Sequence, residues 1–125
     1  MKVLALDYGS ARTGVAVSDP TGTVARPVTT VERVATDAGF AKLLAVIGTE
    51  DPELVVVGMP LTLSGAHGEQ ARETDEFVER LRGAISAPVE TFDERFTSVL
   101  AGDDDARAAA VLLSGYLERW QSGRA

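Results

Sequence analysis

Leu6-Asp7-Tyr8-Gly9-Ser10-Ala11-Arg12-Thr13-Gly14 sets a carboxylate at the end of an apolar run and follows it with a turn bracketed by glycines. Upstream, Val3, Leu4, Ala5 and Leu6 form an unbroken apolar stretch, the pattern of a strand covered on both faces, so residues 1–6 read as a buried strand. An Asp directly after such a run is costly to bury unless something positive meets it. A divalent cation or a phosphate-bound metal answers that need, because hard cations take oxygen ligands. The alternative is an Asp that caps the turn through its own backbone amides. Gly9 and Gly14 allow the tight backbone of the turn, and Val15-Ala16-Val17-Ser18 then returns as a second strand beside the first.

Working outward, Asp19-Pro20-Thr21-Gly22 is a hairpin-type turn into a third strand over residues 23–31, carrying Val24, Val28 and Val31. Pro27 within it has no N–H for a central ladder, which places that strand toward an edge. Residues 36–49 read as a helix with Phe40, Leu43, Leu44 and Ile47 on one stripe, ended by Asp51-Pro52. A second fully buried strand follows over residues 53–60, then a polar loop over 61–68. Residues 69–84 predict an amphipathic helix with Ala71, Thr74, Val78, Leu81 and Ile85 inward. A fifth strand over 87–92 ends in Asp93-Glu94-Arg95, and an Ala-rich helix spans about 104–121. The order βββαβαβα predicts an α/β fold: a mixed five-stranded sheet flanked by helices.

A chain of 125 residues is expected to form one domain over 1–125. With no cysteine, disulfides, thiolate zinc sites and a Cys nucleophile are excluded. No apolar run reaches the length of a membrane span, and Met1 leads into a strand rather than a basic leader, so a cytoplasmic location is expected. A net charge of −7 argues against a general electrostatic grip on nucleic acid. Lys2 and Lys42 are the only lysines among the cations; the rest are arginines, which suit bidentate contact with individual phosphates.

The carboxylates gather at element ends. Asp7 closes the first strand, Asp93-Glu94 the fifth, and Asp103-Asp104-Asp105 opens the last helix. In a parallel arrangement the carboxyl ends of strands face one crevice, so Asp7 and Glu94 are expected to converge there, with Asp105 delivered from the helix start. Such a set can hold one or two Mg²⁺ or Mn²⁺ ions, which activate water and stabilise a leaving oxygen in phosphodiester cleavage. Simpler readings stand beside this one. The three aspartates cap a helix and complement its dipole; Asp93-Glu94-Arg95 is a solvated charge cluster; His67 is a solvated loop residue; Tyr116 and Trp120 pack.

Taken together, Ala5-Leu6-Asp7-Tyr8-Gly9 with Thr13-Gly14-Val15-Ala16-Val17-Ser18, Val57-Gly58-Met59-Pro60-Leu61, Phe92-Asp93-Glu94-Arg95-Phe96-Thr97-Ser98, and Asp105 followed by Ala108-Ala109-Ala110-Val111-Leu112-Leu113 and Tyr116-Leu117 resemble the YqgF/RuvX family. The segments run through the whole chain in order. The resemblance implies an RNase H-like fold and a metal-dependent nuclease of the bacterial cytoplasm. The implied roles are 5′-end processing of pre-16S rRNA or, alternatively, Holliday-junction resolution on four-way DNA. It implies Asp7, Glu94 and Asp105 as catalytic metal ligands for Mg²⁺ or Mn²⁺. Arg12 and Arg95 are then candidates for phosphate contacts, and Thr97 or Asp93 for orienting a ligand from behind. Family members place a longer basic loop before the last helix. Here Val99-Leu100-Ala101-Gly102-Asp103-Asp104 intervenes, without Lys or Arg.

Other classes fit parts of the pattern. The Asp-x-Gly-Ser start is similar to the phosphate loop of sugar-kinase and actin-like ATPases, but those need a second lobe. A non-catalytic nucleic-acid-binding ribosome-assembly factor would suit the acidic surface and the trimmed loop. Symmetric cutting of a DNA junction would require a homodimer.

Overall fold

Short links between β-prone runs pair strands locally, and helical crossovers return later strands parallel to the first. The computed structural model describes residues 1–59, 69–93 and 105–123, with backbone alone at Met59, Glu69, Gln70, Asp93, Asp105 and 119–123. The elements are β1 (Val3–Asp7), β2 (Arg12–Ser18), β3 (Ala25–Glu32), α1 (Asp37–Glu50), β4 (Leu54–Met59), α2 (Glu69–Ala84), β5 (Val89–Asp93) and α3 (Asp105–Gly123). They make one five-stranded sheet in the order β3-β2-β1-β4-β5. β2 is antiparallel to both β1 and β3, whereas β4 is parallel to both β1 and β5. The mixed sheet and the element order agree with the sequence, and β3 occupies the edge that Pro27 requires.

Element limits shift where side chains or prolines claim backbone groups. The β3 strand starts at Ala25, not at residue 23, because the turn keeps the two preceding amides. Asp19 Oδ1 accepts from the N–H groups of Thr23 and Val24 at 2.8 and 2.9 Å. Its other oxygen takes the Thr21 hydroxyl, and these bonds lower the exposed Asp19 carboxyl to a pKa of about 2. The β5 strand starts at Val89 because Pro88 has no N–H, although its carbonyl accepts from Val55 N–H at 2.9 Å. Thr36 caps α1, its hydroxyl accepting from Gly39 N–H, and Asp51 ends that helix in the left-handed region. Between β2 and β3 the register slips at Val15/Ala16, a bulge that further blunts the edge strand.

Strand alternation divides the core into two layers. Leu4 and Leu6 of β1 with Tyr8 just after it, Val15 and Val17 of β2, and Val55 and Val57 of β4 pack against Phe40, Leu43 and Ile47 of α1 and Phe77, Val78 and Leu81 of α2. The opposite parity, Val3, Ala5, Ala16, Leu54 and Val56, packs under Ala109, Leu112, Leu113 and Leu117 of α3. The expected inward residues of α2 are buried except Ile85, which is partly buried beyond the helix end, and Phe77 joins them. No helix among the described residues is long and apolar enough to cross a membrane.

Candidate functional site

Asp7 ends β1 half-buried, after four fully buried residues. Because Leu4, Leu6 and Tyr8 turn to α1 and α2 while Val3 and Ala5 turn to α3, strand alternation puts Asp7 on the α3 face. The residue across from it on β2 is Gly14. On the other side, the parallel register Leu6–Val57 carries one residue further to Gly58. Both neighbours of Asp7 therefore lack a side chain. In this row the next residue is Phe92 of β5, paired with Gly58. Its ring leans toward α3 instead, edge-on to Tyr116 at 5.6 Å between centroids. The Tyr116 hydroxyl donates to Glu90 Oε2 at 2.7 Å, and burial with that bond raises the phenol to about 12.

A half-buried carboxylate flanked by two glycines suits a hard cation, which takes oxygen donors. The parallel pairing of β1, β4 and β5 also brings the carboxyl ends of these strands, Asp7, Met59 and Asp93, to one end of the sheet. That is the arrangement expected from the sequence. Among the described residues, no three carboxylate or imidazole groups come together in a metal-holding cluster. Glu94, Arg95 and Thr97 lie outside the described residues, as do His67, Asp103 and Asp104; the backbone of Asp105 opens α3.

The turn after Asp7 is held tightly. Gly9 N–H donates to Thr13 Oγ1 at 3.4 Å, and that hydroxyl donates back to Gly9 O at 3.3 Å. A Cβ at Gly9 would sit 2.4 Å from Arg12 O, so only glycine fits here. Arg12 starts β2 with an exposed side chain, level with Glu32 of β3. On the opposite face Tyr8 donates from its hydroxyl to Glu73 Oε1 at 2.7 Å. Burial, then this bond, pushes the Tyr8 phenol far above its ordinary range, so it stays protonated. Its ring lies 4.8 Å from Phe77. Phe77 meets Phe40 edge-on, and the Arg80 guanidinium covers Phe40 at 4.1 Å. The residue after Asp7 is thereby anchored to α2. A Tyr following the carboxylate carried that signal in the sequence, but its Glu73 partner lies 65 positions away.

Comparison with known proteins agrees with this architecture. A family model described as RuvX, Holliday junction resolvase, matches residues 1–119. A protein of Chloroflexus aurantiacus, provisionally named pre-16S rRNA nuclease, is 36% identical over 135 residues, covering 96% of this chain and 88% of its own. One of Oleidesulfovibrio alaskensis with the same provisional name is 44% identical over 104 residues, covering 83% and 72%. Among solved structures, Thermus thermophilus RuvC in complex with a Holliday junction substrate superposes with a TM-score of 0.59 at 15% identity, covering 97% of this chain and 96% of that one. That similarity is one of fold. The matched span and the relatives' identity place the chain in the RuvX family.

Proposed function

We propose that this chain is a divalent-metal-dependent nuclease that hydrolyses phosphodiester bonds in 5′-end processing of pre-16S rRNA. The observation that carries the reading is Asp7, half-buried at the carboxyl end of β1, on the face beneath α3 and between two glycine positions. Membership of the RuvX family and the provisional name of the relatives support it.

Asp7 is the central ligand of Mg²⁺ or Mn²⁺ in this proposal, with Glu94 and Asp105 completing the set. Glu94 has the sequence parity of Glu90 and Phe92, the β5 residues that meet Tyr116 of α3. The metal, when bound, supplies Lewis-acid activation of water and charge stabilisation at the leaving oxygen. Arg12 and Arg95 hold flanking phosphates as bidentate donors; Thr97 and Asp93 orient ligands from behind. Tyr8, fixed to Glu73, keeps the end of β1 in place.

A second reading is cleavage of a four-way DNA junction, favoured by the family's description and by the resolvase fold. It requires a homodimer. A cytoplasmic location goes with either role.

The test offers a 5′-extended rRNA precursor and a four-way DNA junction, each with Mg²⁺ or Mn²⁺, to the wild type and to Asp7→Asn. Cutting by the wild type should fall on the order of 1,000-fold in the variant, with the fold retained by circular dichroism. Equal cutting by both proteins would refute the metal assignment. Cutting of the junction alone would select the second reading, and no cutting of either substrate would leave a binding or assembly factor.

A further inference from the structure

Arg33 adopts φ +48°, in the left-handed region that an Arg enters only against steric cost. Neighbours fix it there. Its N–H donates to Ala11 O at 3.0 Å, in the turn that follows Asp7. Its carbonyl accepts from Thr36 N–H at 3.0 Å and from the Thr36 hydroxyl at 2.7 Å. A Cβ on Gly39 would fall 2.0 Å from that same carbonyl oxygen, so α1 presses directly on this backbone. Glycine or asparagine would occupy such a position with less strain. The chain instead presents an exposed guanidinium that has no ion-pair partner among the described residues.

The location gives the charge a use. Asp7, Gly14 and Thr30 stand in one row across β1, β2 and β3. Arg33 lies three residues beyond Thr30, at the same end of the sheet as Asp7. Strand spacing and rise put its Cα roughly 14 Å from that of Asp7. That separation suits a neighbouring phosphate of a bound strand, not the scissile one. Arg12 lies beside it, since Arg33 is bonded to Ala11 and Arg12 is level with Glu32.

We propose that Arg33 joins Arg12 in a clamp for a backbone phosphodiester of the nucleic-acid substrate, held at the end of β3 by the Ala11 hydrogen bond and the left-handed backbone. This rests on the nuclease reading above, and it extends the binding surface to the antiparallel side of the sheet. In an acidic protein, two neighbouring arginines, one of them on a backbone fixed by its neighbours, supply a local phosphate contact without a broad basic surface.

The experiment measures binding of wild type, Arg33→Asn and Arg33→Lys to a 5′-extended rRNA precursor and to a four-way DNA junction, in EDTA, across a salt series. Melting temperatures are taken alongside. Asn keeps the backbone conformation without the charge. Arg33→Asn should bind roughly tenfold more weakly, with a salt slope smaller by about 1. Its melting temperature should be unchanged or raised by up to about 3 °C. Arg33→Lys should keep the slope. The preferred substrate tells RNA phosphates from DNA phosphates as the source of the contact. If wild type and Arg33→Asn bind alike, the clamp is refuted while the nuclease stands. A lowered melting temperature that Arg33→Lys shares would also overturn it, marking a structural residue. Failure of the wild type to bind either substrate here, together with no cutting in the metal-supplied assay above, would overturn the nuclease reading with it.

Discussion

On the α1/α2 face the central strands present Leu4, Leu6, Val15, Val17, Val55 and Val57, continued at the carboxyl end by the Tyr8–Phe77–Phe40 ring cluster. On the α3 face the same strands present Val3, Ala5, Ala16 and Val56, and their carboxyl end carries Asp7 between Gly14 and Gly58. Leucines and aromatic rings on one side fix the sheet; the alanines on the other let α3 pack closely, and Asp7 ends that face between two glycines. Bulky packing and the proposed chemistry thus fall on opposite faces of one strand, alternating residue by residue. Tyr8 and Asp7 are adjacent in sequence and serve different layers.

Breaking the bulky face should cost most stability. Leu81 is fully buried against it, so Leu81→Ala should destabilise by about 2–5 kcal/mol in urea denaturation. The α3 face should fail by the opposite route. Ala5→Leu adds volume where none is free and should cost about 1–3 kcal/mol. Should Ala5→Leu prove neutral and Leu81→Ala costly, the claim of close packing under α3 is wrong. A sharper division comes from Gly14→Val, which puts branched carbons beside Asp7 in a strand that favours them. Hydrolysis should fall about tenfold, equivalent to about 1.4 kcal/mol, in a variant that still folds by circular dichroism. Intact cleavage in the folded variant would contradict the role given to the glycine beside Asp7.

The smallest effect lies far from both layers, at Asp19. Its folded carboxyl is lowered to about 2, so the turn's contribution is full above the usual carboxylate range and is lost as pH falls from about 4 to about 2. Acid titration of Asp19→Asn should lack that segment of the wild-type decline. A variant whose stability follows the wild-type curve through this window would show that the turn adds nothing.

Much of this division could be read from the chain. Unbroken apolar runs at β1 and β4 marked strands buried on both faces, Pro27 marked the edge, and helix-length crossovers marked parallel pairing. Thr36 and Asp51-Pro52 bounded α1 to within a residue at each end. What local pattern did not disclose depends on register between distant segments. Phe77 looked like one more helix residue until Tyr8 gave it a partner. Gly58 acquired meaning only when β4 settled level with Asp7. The charge at Arg33 was visible, but its left-handed backbone follows from contacts to Ala11, Thr36 and Gly39. The convergence of Glu94 and Asp105 on Asp7 remains a proposal resting on family resemblance and on parity.

The layer beneath α3 also bears on how the protein is made. Synthesis reaches Asp105 long after β1 and β2 have emerged, and α3 packs mainly on β1, β2 and β3. A nascent chain that stops short of α3 can pair its strands and cover one face, yet leaves Val3, Ala5, Ala16, Leu54 and Val56 wet. Closure of that face and assembly of the proposed ligand set await the same helix. A chain truncated before α3 is therefore expected to lack a closed core and the proposed ligand set together.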